Sequence, residues 1–265
     1  MHRSASVAVY GALALAATMV GAIATHLFIV GGSIAAPVVL LAVTGRHLVH
    51  RLDALEPAMS TLAMAAGPTS VRLDAASLDQ LFLTARTHHR WLPQPVDGAV
   101  LRELYELARM APTSTNSQPL RLVFLTSGEA RERLRPTLAP ANVETTMSAP
   151  VTAIVAHDLE FYDHLPALLP HVDARARFAS RPAGQIARIA EQGSALQGGY
   201  VILAARALGL DCGPIGGFDH ARVDEEFFPD GRWKSNFLVN LGYGDPAGLH
   251  PRNPRLAFED ACRIL

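Results

Sequence analysis

Charge is the first thing this chain lacks. Residues 5–43 contain no Asp, Glu, Lys or Arg. Over all 265 residues the charged types make up 18%, with a formal net charge of -1. Such a balance gives no global electrostatic reason to bind nucleic acid or an anionic membrane surface. Cysteine is scarce too. Cys212 and Cys262 are the only two, they form no C-x-x-C pair, and a disulfide framework is excluded. That usage fits a reducing, cytoplasmic compartment. No G-x-G-x-x-G follows a strand pattern, and no G-x-x-x-x-G-K-[ST] occurs. The usual dinucleotide fingerprint and the P-loop are therefore missing, and Gly213-Pro214-Ile215-Gly216-Gly217 fits neither spacing. His157, His164 and His171 stand seven residues apart, without metal-ligand spacing.

The uncharged stretch sets residues 1–55 apart as an apolar, helical segment. Val7–Val30 is long enough to cross a hydrocarbon core, which takes roughly 20 residues. Gly31-Gly32-Ser33 breaks it, and Ile34–Val43 is a shorter apolar run. Arg3 precedes the pair, and Arg46 and Arg51 follow it, so both ends of a hairpin would face the cytoplasm. Membrane contact through residues 5–45 is one reading. A signal peptide cleaved near Ala22-Ile23-Ala24 is a second. Translation from Met59 or Met64 is a third. Gly21–Ser33 resembles a fragment of small DoxX-like membrane proteins. Residues 56–72, with prolines, a glycine and small residues, read as a linker.

From residue 73 to 265 the composition is that of an α+β domain. Ser77-Leu78-Asp79-Gln80 reads as a capping box opening a helix toward His88, with Leu78, Leu81 and Phe82 on its buried face. Apolar residues at helical spacing predict a second helix over 97–110. Leu120–Thr126, Val151–His157 and Asn236–Tyr243 read as strands. A long helix is expected over Gly184–Leu208, where Gly193, Gly198 and Gly199 suggest close approach of another helix. Asp219 reads as the cap of a short helix through Phe228. Strict βα alternation is absent, which favours α+β over a doubly wound sheet.

Two stretches carry chemistry rather than core. Ala111–Pro119 reads A-P-T-S-T-N-S-Q-P: small hydrogen-bonding side chains between two prolines, placed between a helix pattern and a strand pattern. Such a loop offers hydroxyls and amides on a fixed path, as a planar polar cofactor requires. Upstream lies Ala85-Arg86-Thr87-His88-His89-Arg90-Trp91, a cationic, hydroxylated knot suited to a phosphate. Together they suggest a flavin mononucleotide site. Each has a plainer reading. The first would be a proline-bounded turn, the second a solvated helix end carrying basic residues for dipole reasons.

In chain order with these stand A-P-V-T-A-I-V-A (149–156), R-A-L-G-L-D (206–211), the 213–217 segment, G-F-D (217–219), K-S-N (234–236), G-Y-G-D (242–245) and P-R-L-A-F-E-D-A-C (254–262). This string resembles the flavin-dependent nitroreductase family, most closely the malonic semialdehyde reductases of pyrimidine degradation. It covers about 75–265. The resemblance implies a mixed sheet flanked by helices and an intertwined homodimer with FMN at the subunit interface. NADPH or NADH is the implied hydride donor, and a small carbonyl or nitro compound the substrate.

The resemblance also assigns residues. Arg86, Thr87 and His88 would sit at the phosphate, helped by Arg252 and Arg255 near the C-terminus. Pro112, Thr113, Ser114, Asn116 and Gln118 would line the ring or ribityl chain from across the dimer. Asn142 would meet the ring, and the Pro214-Ile215-Gly216-Gly217 segment would lay the backbone N–H groups of its last three residues beside the reactive nitrogen. Two positions depart from the family's pattern. His89 stands where a second arginine is usual, and Thr145 where a lysine near the pyrimidine ring is usual. No catalytic side chain is implied, because the cofactor carries the chemistry. A broad nitro- or quinone reductase and a catalytically silent, membrane-associated FMN-binding protein are the rival readings.

Overall fold

The structure is a computed structural model and describes residues 71–265; the apolar segment, most of the linker and the alternative start sites lie outside the described residues. Leu73–Leu265 form one compact unit. Among the described residues no helix is long and apolar enough to cross a membrane.

A four-stranded sheet forms the centre, with order β1-β2-β4-β3. Its strands are β1 (Leu120–Leu125), β2 (Val151–Asp158), β3 (Asp211–Ile215) and β4 (Trp233–Gly242). All three pairings are antiparallel. The mixed sheet implied by the resemblance is thus corrected. The parallel contribution is a single bridge, Thr87 to Cys212, at the outer edge of β3.

Every residue of β2 is buried, because helices cover both sheet faces. Side chains alternate across a strand. Val151, Ala153 and Val155 therefore join a core under α2 (Gly98–Ala108) and α7 (Ala183–Ala207), with Leu101, Leu104 and Val201. Ile154 and Ala156 join the opposite core, with Leu134 of α3 (Gly128–Leu134) and Val223 of α8 (His220–Phe227). The remaining helices are α1 (Ala75–Leu78), α4 (Pro140–Ser148), α5 (Leu165–Leu168), α6 (Ala174–Ala179) and α9 (Phe258–Ala261).

Local chemistry explains the helix starts. The Asp97 carboxylate accepts from Ala99 N at 2.7 Å, and Asp219 accepts from Arg222 N at 3.1 Å. Asp74, not Ser77, caps α1, accepting from Ser77 N at 2.7 Å. That helix continues as a wide turn over Asp79–Leu83 and stops there. It does not reach His88, and Phe82, expected to be buried, is 51% exposed.

Two glycines of α7 serve this chain's own packing. A Cβ at Gly193 would stand 2.7 Å from Pro119 Cγ, and one at Gly198 2.5 Å from Phe237 Cζ. The expected helix–helix approach is therefore replaced at these positions by side chains entering β1 and belonging to β4. Only Gly199 of the three faces open space.

Candidate cofactor site

The knot at 85–91 is extended rather than helical. His88 N donates to Cys212 O at 3.0 Å, and Leu92 N donates to Tyr243 O at 2.8 Å, so the segment lies along the β3 side of the sheet. Its side chains then part company. His88 turns inward and is buried. A Cβ on Gly244 would lie 2.1 Å from its ring, which accounts for the second glycine of G-Y-G. Asp211 Oδ1 stands 3.4 Å from His88 Nδ1, and that nitrogen has no hydrogen-bond partner. The structure gives His88 a packing position, correcting its assignment to the phosphate.

His89 and Arg90 face outward and line a cavity of about 390 Å³ with Glu144 and Thr145 of α4 and Leu249 and His250 of the tail. The Thr145 hydroxyl is buried without a hydrogen-bond partner. A buried orphan hydroxyl costs free energy unless something meets it. This cavity can hold a polar ligand against it.

Asn142 sits one turn before Thr145 on α4 and donates its amide to Gly217 O at 2.9 Å. A Cβ on Gly217 would stand 2.6 Å from that nitrogen. Gly217 is therefore required by Asn142, while a Cβ on Gly216 would meet nothing. Asn142 and the 214–217 segment are thus brought together. The segment begins within the sheet, because Asp211–Ile215 form β3. Pro214 is exposed and Ile215 is buried in the core between sheet and α8.

Three expected phosphate cations are engaged elsewhere. Arg86 Nη2 donates to the carbonyl of His250. Arg252 Nη2 donates to Leu83 O at 2.7 Å and Ala85 O at 2.9 Å. Arg255 Nη1 donates to Asn253 O and Pro254 O. The first two cross-brace the tail and the 83–86 segment. Arg90 gives only its carbonyl to the fold, accepting from Asp245 N at 2.9 Å. Its guanidinium has no hydrogen-bond or ion-pair partner among the described residues. Sequence reasoning left Arg90 unassigned. The signal available was its place one residue beyond a histidine already noted as a departure.

The polar loop lies elsewhere. Thr115, Asn116 and Gln118 all have positive φ, at 59°, 49° and 42°. Each left-handed non-glycine residue costs roughly 1–2 kcal/mol, so the path is imposed by its surroundings. Gln118 N donates to Thr113 Oγ1 at 3.1 Å, Gln118 Nε2 to Asn116 Oδ1 at 2.9 Å, and Asn116 Nδ2 to Leu168 O at 2.8 Å. Pro112, Thr113 and Ser114 line a cavity of about 440 Å³ against Gln192, Gly193 and Leu196 of α7. A roomier cavity of about 970 Å³ lies along β1, and Gln118 alone of the expected residues lines it.

An ion triad anchors the loop's exit. Asp158 is 1% exposed; its carboxylate meets Arg121 at 2.5 Å and Arg232 at 2.9 Å. Arg121 also donates to Gln118 O at 3.1 Å. Burial pushes the Asp158 carboxyl up, but the Arg232 hydrogen bonds, the Glu160 amide and Arg121 outweigh it, and the net shift is down.

Loop and cavity are diagonal opposites on the sheet. The loop enters β1 at Leu120, opposite His157; Thr87 bridges Cys212, which pairs through Leu241 with the Val151 end of β2. Four interstrand steps across and about six residues along put Leu120, at the loop's exit, roughly 28 Å from Thr87, just before the cavity-lining His89 and Arg90. Cys212, between the sheet and α7, is no nucleophile. Burial pushes its thiol up to about 12.

The nitroreductase family model matches residues 83–243. A protein of Ralstonia nicotianae bearing the provisional name NADH dehydrogenase/NAD(P)H nitroreductase is 55% identical over 193 residues, 73% of this chain and 98% of that protein. A Rhodopseudomonas palustris protein of the same provisional name is 57% identical over 188 residues, 71% and 95% of the two chains. A nitroreductase-type protein of Exiguobacterium sibiricum, solved in complex with FMN, shares the fold with a TM-score of 0.63 at 22% identity, covering 75% of this chain and 100% of that one.

Proposed function

On the premise that this chain belongs to the nitroreductase family, we propose that it is an FMN-dependent NAD(P)H oxidoreductase acting on a small electrophile. The observation that carries this is the cavity beside α4, lined by Arg90 and by Thr145, whose buried orphan hydroxyl stands one helical turn from the Asn142–Gly217 contact. These groups fit a flavin: a donor-bearing, cationic lining for a carbonyl-rich ring, with open space at Gly216 beyond the Asn142–Gly217 contact. Bound FMN supplies hydride chemistry, taking two electrons from NAD(P)H and giving them to the acceptor. The chain's own task is to hold the ring with Asn142 and Thr145, present Gly216 and Gly217 to one edge, and seat the phosphate beside Thr87.

Two copies complete the site. The roughly 28 Å between the loop's exit at Leu120 and Thr87 is wider than one flavin can span. A partner's Pro112–Gln118 loop laid against this protomer's cavity resolves the separation, and its positive-φ path is held ready for that contact.

For the acceptor, the motif string favours malonic semialdehyde, reduced to 3-hydroxypropionate. The provisional names of the relatives favour a nitro compound. Purified protein should be yellow and bleach with NADPH or NADH. Faster turnover of malonic semialdehyde than of a nitrofuran supports the first acceptor; the reverse order selects the second. Colourless protein that takes up no FMN overturns the whole reading.

A further inference from the structure

Resting on the FMN reading, we propose that Arg90, flanked by His89 and His250, supplies the positive charge at the pyrimidine edge of the flavin ring that Thr145 cannot supply. Lys234 is the chain's only lysine, and it is held 3.5 Å from Asp224. No ammonium is available for the cavity, so an arginine or an imidazole must serve.

The fold singles out Arg90 for this task. Arg86 and Arg252 spend their guanidinium donors on backbone carbonyls, bracing the tail. Arg90 lines the cavity beside these braces, and its guanidinium has no protein partner among the described residues. Its stem runs beside Gly248, where a Cβ would stand 2.9 Å from Arg90 Cβ, Cγ and Cδ. A side chain at 248 would push the stem aside, so the glycine keeps open the path along which Arg90 borders the cavity. His89 and His250 bracket the same space, their rings 6.4 Å apart and tilted at 56°. The remaining lining is short or apolar apart from Glu144, the single carboxylate there.

Hydride uptake leaves the ring richer in negative charge. A fixed cation at its pyrimidine edge favours that state over the oxidised one. Arg90 therefore binds reduced FMN more strongly than oxidised FMN and raises the midpoint potential of the bound cofactor.

The test uses the purified holoprotein. Oxidised FMN affinity is measured by fluorescence titration and the midpoint potential by spectroelectrochemistry, for the parent, R90Q and R90K. R90Q is expected to bind oxidised FMN a few-fold more weakly and to lose at least a further tenfold for reduced FMN. Tenfold is about 30 mV downward for a two-electron couple. R90K keeps the charge and is expected to retain most of the parent's potential. H89Q and H250Q should each shift the potential in the same direction by less. Arg90 has no side-chain partner to lose, so R90Q should melt like the parent. Unchanged potential in R90Q, or an equal fall in R90K, overturns the inference while leaving FMN binding intact. A parent chain that binds no FMN overturns the proposed function instead.

Discussion

The polar loop and the cationic cavity stand at opposite corners of one sheet and are built in opposite ways. The loop is strained in itself, with three left-handed residues inside four positions, and it is tied at both ends by hydrogen bonds and an ion triad. The cavity is relaxed in its backbone but leaves a buried hydroxyl unsatisfied, beside an exposed guanidinium with no protein partner among the described residues. The loop has settled its hydrogen bonds and holds a shape, whereas the cavity keeps a buried polar group unmet. Preorganised geometry and unmet polar groups are two different marks of a binding site, and here each region carries one.

The sharpest way to break this comparison is complementation. A loop-damaged chain (N116A with Q118A) and a cavity-damaged chain (N142A with T145V) should each lose most FMN. Each mixed dimer should regain one of its two flavin sites, about a quarter of all sites after random pairing, because each site needs one intact loop and one intact cavity from different copies. No recovery on co-expression would place both regions in a single protomer's site. Flavin absorbance per chain reads the result.

Next in size is the loop's anchor. D158N leaves Arg121 and Arg232 facing a neutral amide and should cost about 3–5 kcal/mol in urea unfolding at pH 7. Because the folded carboxyl titrates below its ordinary value, its contribution is present above that ordinary value. It fades as pH falls through the folded one. The gap between parent and D158N should therefore narrow on acidification, and a gap independent of pH would show that the charge is not what holds the loop.

On the cavity side, G217A forces a Cβ to within 2.6 Å of the Asn142 amide. It should cost about 1–3 kcal/mol through displaced packing, with FMN affinity falling alongside. A variant that melts like the parent would mean that Asn142 moves freely. The smallest effect belongs to T115G, which removes a left-handed threonine. It should raise stability by about 0.5–1 kcal/mol, offset in part by glycine's greater freedom when unfolded. Weakened FMN binding in that more stable variant would show that the strained path serves the ligand.

The periodic parts of the fold were legible in the sequence. The helix expected over 97–110 is Gly98–Ala108, and the one over 184–208 is Ala183–Ala207, because long amphipathic repeats leave little choice. Strand β3 was missed. Gly213 and Pro214 are residues that strand interiors usually avoid, yet a proline is tolerated where no ladder donor is needed, and Pro214 is exposed toward the edge of the sheet. Residues 84–91 misled for another reason. Their basic character fitted a helix end, and only tertiary pairing with Cys212 and Tyr243 makes them extended. That pairing decides which of three neighbouring cations and imidazoles turns inward. Composition carries no record of it, so His88 was taken for a ligand group and Arg90 was passed over.

The braces at Arg86 and Arg252 have a practical consequence at the bench. They hold the stretch around His250 against the body of the domain, whereas residues 251–265 are exposed along their whole length. An affinity tag fused after Leu265 hangs from a free end and should leave purification yield and colour alone. A protease cut before Arg252 removes one brace, and the preparation should lose its pigment during dialysis before it loses its helical circular dichroism.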